Sequence, residues 1–343
     1  MTAVFCVNTA DRSAETWKKQ LEPFSRCEFA VSDAAKGIAS AVAQVAAERR
    51  DDPLTVPLEH GLDVFHTAYE ANRVLAQHWR RAEAAWEAAE AADAKVDRAK
   101  QQGVDARGPA GPARAAWQKA VSAFEDVERQ EAAWRRIHAA FDLFRPDGQL
   151  NDRAWAEGEI TAALADSSGP EWKKVRNFLR DRRSLAFLDR MHARLVEAEP
   201  RPEWREAFAW RWWLRHRRPA PAVSALIALV QTVASQRPLN QAEQASYDRV
   251  AAVLKSTVRA SSAVECMNSV LRMQQSRHRR MTQPMLDLKR LYWNSRPFRS
   301  GPRKDVCPYQ ALGLNLPTFD FWSLLQADPA ELRQQLSTQR IAA

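Results

Sequence analysis

The chain has 343 residues, 45% hydrophobic and 27% charged, an ordinary balance for a globular protein and a prior of roughly two domains. Glycine is scarce, no run of about 18 apolar residues exists, no secretory leader opens the chain, and Cys6, Cys27, Cys266 and Cys307 form no CxxC pair. Collagen-like, glycine-rich disordered and turn-dense all-β readings are therefore disfavoured, no membrane-spanning helix, zinc site or disulfide framework is expected, and a reducing, cytoplasmic setting is. The net charge of +9 is unevenly spread: residues 201–304 hold 20 Lys and Arg against 6 Asp and Glu, a net +14, and the rest of the chain is at −5. This is either the footprint of a polyanion or a merely solvated basic face.

In chain order, Val4–Val7 reads as a strand, and Asp11 as the cap of a helix over Glu15–Leu21 that Pro23 ends. Cys27–Val31 reads as a second strand. It runs through Ser32, Asp33 and small residues into a helix marked by Ile38, Val42 and Val45. Sites in open α/β sheets form at the carboxyl ends of strands, so Asp33 stands where a catalytic carboxylate can stand; the simpler role is to cap the helix. Gly61–His66 opens a long helical stretch through Val74, Trp79, Trp86 and Val96. The Gly- and Pro-rich run Gly103–Pro112 breaks it, and a second helix follows from about 113 to 143, giving a helical hairpin.

After a turn at Arg145–Gly148, helices are expected over Asp152–Ala165, Glu171–Arg180, Ser184–Glu197, Pro202–Arg215, Val223–Ser235 and Gln241–Val258. Ten of the 13 tryptophans fall between Trp79 and Trp213, a density that suits inter-helix packing. In Arg211–Arg218 the aromatics interleave with arginines as they would to stack on a nucleic-acid strand. Ser262-x-x-Glu265 is a capping box, so a helix begins there. On it Glu265, Asn268, Ser269 and Arg272 share one polar face, opposite Val264, Met267 and Leu271. Arg277, Arg279 and Arg280 follow in a basic stretch, then a helix through Leu286–Leu291 bearing Lys289 and Arg290, an irregular tail, and a short helix from Phe319.

Four stretches resemble the bacterial insertion-sequence transposases of the acidic-triad (DDE) type. Phe29–Ile38 is similar to the strand and turn bearing the second catalytic Asp. Asp63-Val64-Phe65-His66 is similar to the Asp-x-x-His signature of members with helical insertions. Arg259–Arg272 resembles the helix of the final Glu, and Leu286–Gly313 the terminal segment. The resemblance implies an α+β, predominantly helical protein: a partial RNase H-like mixed-sheet core with a large all-α insertion. It divides the chain as 1–62 partial core, 63–218 insertion, 219–304 return to the core with the Glu-bearing helix, and 305–343 tail.

It implies Asp33 and Glu265 as catalytic residues and ligands of Mg²⁺ (or Mn²⁺). Asp63, His66, Asn268 and Ser269 would be structural, and Arg259, Arg272, Arg277, Arg279, Arg280, Lys289 and Arg290 would contact DNA. Transposon ends are the implied partner, together with a second copy or a full-length transposase, with no membrane and a nucleoid association when bound. The family's first Asp has no counterpart before Asp33, so the implied protein is an N-terminally truncated, catalytically incomplete transposase. The alternative is a non-catalytic DNA-binding or regulatory protein derived from one.

Overall fold

The computed structural model describes residues 11–33, 35–52, 55–167, 169–216, 238–259, 282–300 and 304–337. The expected strand Val4–Val7, the expected helix Val223–Ser235, and the motif residues Glu265, Asn268, Ser269, Arg272, Arg277, Arg279 and Arg280 lie outside them. Among the described residues the fold is predominantly helical, with 72% helix and 4% strand, and its contacts divide it into two compact units.

The smaller unit comprises residues 1–28, 35–59 and 261–343. Helix α1 (Ala14–Leu21) is capped by Ser13, which accepts from the Thr16 N–H. Asp11, the expected cap, instead accepts from the Ser13 N–H and the Thr16 hydroxyl, so it braces the cap from one step outside. Helix α2 (Lys36–Arg50) buries Ala41, Val42 and Val45 and pairs Glu48 with Lys18 of α1. Its buried Arg49 donates to the Cys27 carbonyl at 2.7 Å and the Phe24 carbonyl at 2.9 Å, closing the loop after α1.

The larger unit, residues 29–34 and 60–260, holds the main core. It contains β1 (Phe29–Ser32) and most of β2 (Glu59–Leu62). The strands are parallel: the Glu59 N–H donates to the Glu28 carbonyl and, four residues further along both, the Asp63 N–H donates to the Ser32 carbonyl. Among the described residues this pair is the sheet.

From β2 the chain enters the hairpin of α3 (Val64–Gln101) and α4 (Arg107–Ala140). Its seam repeats every seven residues: Leu75, Ala82, Ala89 and Val96 on α3, Ala113, Ala120, Val127 and Trp134 on α4, all buried. Alanine at four of these eight positions lets two long helices approach closely, with the seven-residue spacing of a coiled-coil seam.

Helix α4 starts within the Gly- and Pro-rich run, earlier than the sequence suggests. Pro109 falls in the first turn, where backbone N–H groups have no helical partner to lose. Pro112 is inside the helix and removes one hydrogen bond, a loss the hairpin packing absorbs.

Then follow α5 (Arg153–Leu164), α6 (Lys173–Leu179), α7 (Ala186–Ala198), α8 (Pro202–His216) and α9 (Gln241–Ser256). The helical block extends past residue 218, because Tyr247, Val250, Val253 and Leu254 of α9 belong to the same core as α7 and α8. The Arg211–Arg218 stretch differs from expectation where it is described: Trp212 and Trp213 are buried and Trp212 stacks on Phe144, so this segment packs the core.

The remaining elements of the smaller unit are α10 (Gln283–Ser295), α11 (Pro308–Ala311), α12 (Phe321–Gln326) and α13 (Pro329–Ser337). The segment expected to be irregular thus contains a short helix, which the buried Cys307 caps by accepting from the Gln310 N–H.

Candidate site at the strand ends

Two aspartates leave the carboxyl ends of the parallel strands side by side. Asp33 directly follows β1 and is exposed; Asp63 directly follows β2 and is fully buried. Their local roles differ. Helix α2 begins at Lys36 with Ala35 as its N-cap and no side-chain cap bond, so Asp33 does not occupy the capping position. Asp63 does occupy it for α3: its Oδ1 accepts from the Phe65 N–H at 2.9 Å, and its Oδ2 faces His66 Nε2 at 3.7 Å. Such a cap contributes about 1 kcal/mol, and a carboxylate at a helix N-terminus also meets the favourable end of the dipole.

A polar chain underlies Asp33. Ser32 Oγ is 2.8 Å from His60 Nε2, and His60 Nδ1 is 3.2 Å from Arg183 Nη1. A guanidinium only donates, so Nδ1 accepts and the ring proton sits on Nε2, which donates to Ser32 Oγ. The Ser32 hydroxyl then donates to the Asp33 carbonyl at 2.8 Å. At the far end Arg183 is clamped by Asp181, whose carboxyl is held below the ordinary range mainly by those guanidinium bonds. Gly61 lets the strands close up here, since a Cβ would lie 2.5 Å from the Phe29 ring. Phe29 also receives Arg190 over its face at 5.5 Å.

Burial, reinforced by the charge on Arg183 and only partly opposed by Asp181, pushes His60 down to about 4. An unfolded histidine protonates near 6.5, so between these values the unfolded chain binds the extra proton. The neutral ring's contribution to stability is complete above about pH 6.5 and is lost as the pH falls towards about 4. His60→Gln should therefore flatten the fall in stability across that window. Urea midpoints measured from pH 7 downwards check this, and equal slopes in both proteins would refute it.

The helical block closes on the same strand end. The Val64 N–H donates to the Arg259 carbonyl at 3.1 Å, tying the exit of the block to its entry. Arg259 donates to Asp142 Oδ1 at 2.7 Å and to the Phe141 carbonyl. Its guanidinium is thus engaged inside the block, at the end of α4. Lys289 and Arg290 lie half-exposed on α10, with Arg290 3.3 Å from Asp287.

Among the described residues no three His, Cys, Asp or Glu side chains form a metal-binding group. Asp63 spends its oxygens on its own helix end and His66. Asp33 offers the hard oxygen that Mg²⁺ prefers, but one carboxylate is not a complete site. Sequence reasoning picked out Asp33, Asp63 and His66. It missed His60, Asp181 and Arg183: His60 precedes Arg183 by 123 residues and meets the Asp181–Arg183 pair only in the fold. Among known proteins, neither a family model, a curated relative nor a solved structure matches this chain.

Proposed function

We propose that this is a transposase-derived protein built on an RNase H-like core, in which two of the family's three catalytic acids have counterparts. Asp33 and Glu265 would hold Mg²⁺ or Mn²⁺, and the basic segment 201–304 would hold the DNA backbone. When bound, the metal would activate the attacking oxygen and stabilise the leaving one. The observation that carries this reading is the Val64–Arg259 hydrogen bond. It returns the chain, after the whole helical block, to the end of β2, the strand paired with the one that Asp33 follows, and Glu265 follows Arg259 by six residues in sequence. An insertion that leaves a parallel strand and comes back to the same edge is what two distant carboxylates of one centre require. The relay through His60 and Ser32 supports the backbone at Asp33, as a precisely held ligand needs.

DNA binding and metal binding test the reading separately. If about six phosphates are neutralised, affinity should fall on the order of 10³-fold between 50 and 200 mM salt. In calorimetry with Mn²⁺, Asp33→Ala and Glu265→Gln should each weaken metal binding about tenfold or more while leaving the salt dependence of DNA binding unchanged. Absence of DNA binding at low salt, or unaltered Mn²⁺ affinity in both variants, would overturn the proposal.

A further inference from the structure

The α3/α4 hairpin carries an arrangement that the strand-end site does not use. Trp86 packs edge-on against Trp117 at 4.8 Å and Phe124 at 5.5 Å, and Trp79 against Phe124 at 5.8 Å. These rings form a stripe along one side of the hairpin together with Val121, one turn from Trp117. The stripe is incompletely covered: Trp86 remains 39% exposed and Val121 46%.

The charges reverse about the middle of this stripe. On α3, residues 72–82 carry Arg73, Arg80 and Arg81 and no acid, whereas 83–97 carry Glu83, Glu87, Glu90, Asp93 and Asp97 against Lys95 alone. On α4, 107–124 carry Arg107, Arg114 and Lys119 and no acid, and 125–131 carry four acids against Arg129, so in the antiparallel hairpin the acidic part of α4 lies level with the basic part of α3. The ring contacts put the two reversal points at the same level of the hairpin, within a turn. Part of the pattern is paired within the chain, Arg73 with Glu70, Arg81 with Glu171 and Asp126 with Arg129, while among the described residues Glu83, Glu87, Arg114, Lys119 and Glu128 form no ion pair.

We infer that this face binds the same face of a second copy, the two hairpins running antiparallel about a two-fold axis through the aromatic stripe to make a four-helix bundle. In a two-fold interface each patch meets itself reversed. Reversal about the stripe lays the basic part of α3 on the acidic part of its mate, and likewise for α4, while the tryptophans meet at the centre, where binding energy concentrates. An arbitrary partner would not require a sign change centred on the apolar stripe on both helices; a second copy does. This interface is independent of any activity at Asp33.

Sedimentation velocity of the full chain at micromolar concentration should give twice the 38.9 kDa monomer mass. The variant E83K/E87K turns the acids of α3 next to the stripe basic, and R73E/R80E turns two of its three arginines acidic. Each alone should dissociate at least tenfold more readily, and an equimolar mixture should regain the dimer, because unlike charges then face across the axis. Val121→Lys, at an exposed position that leaves the seam intact, should also give a monomer. Circular dichroism melts establish that the variants are folded. A monomeric wild type would overturn the inference and leave the face to a different protein of complementary charge. Variants that stay dimeric, or a mixture that stays monomeric, would overturn it as well.

Discussion

Replacing Trp172 by alanine should cost more stability than any other single change in the helical block. The ring is completely buried, and its Nε1–H donates to Gln130 Oε1 at 2.8 Å. Truncating a buried aromatic costs about 3–5 kcal/mol. Gln130 is itself buried, with its amide nitrogen held by Asp126 Oδ2 at 2.6 Å, so its oxygen cannot turn to water when the indole is gone. A stranded acceptor of this kind adds about 1–3 kcal/mol. Domain stabilities run at about 5–15 kcal/mol, so Trp172→Ala should leave the block partly unfolded at ordinary temperature. Trp172→Phe, which retains most of the packing but not the hydrogen bond, should fall between the two. Urea unfolding followed by far-UV circular dichroism checks the order, and a Trp172→Ala midpoint close to wild type would contradict it.

Gly148→Ala should be the second largest. Gly148 closes the turn after Phe144 with φ at +86°, and a Cβ there would lie 2.7 Å from the Trp210 ring and 3.1 Å from that of Trp213. The backbone strain costs about 1–3 kcal/mol. Displacing two packed indoles adds an overpacking cost of about the same size, ~1–3 kcal/mol. Gly158, inside α5 with open space around it, supplies the opposite sign. Gly158→Ala should stabilise by about 0.5–1 kcal/mol, since alanine is the better helix former. Melting temperatures should therefore move in opposite directions for the two substitutions, and parallel shifts would show that Gly148 is not held as described.

The helices were the most legible part of the sequence because their signals are local. Asp152 caps α5, and Trp79, Trp86, Trp117 and Trp134 mark the hairpin by periodicity alone. What escaped reading depended on contacts between distant residues. The start of α4 among prolines is tolerated because the alanine seam of α3 holds it. Trp212 and Trp213 look like a stacking platform in sequence, and only the arrival of Phe144 shows them to be core. At the strand ends, Asp33 and Asp63 were both visible, yet the division of labour between them was not. It is set by where each helix begins: at once after Asp63, and three residues beyond Asp33. His60 carries no local signal, and its role appears only with Arg183 beside it in the fold.

The Val64–Arg259 hydrogen bond also bears on how such a chain can change over time. Because the block departs and returns through nearly one point, the paired strands experience it as a closed loop, and closure entropy grows only logarithmically with loop length. Helices can be added to or removed from the block at little cost to the strands, provided that the junction at Asp63, Val64 and Arg259 is kept. The guest can therefore diverge in size and surface far faster than its host, and the junction, rather than the bulk of the helices, is where substitutions should be least tolerated across variants of differing length.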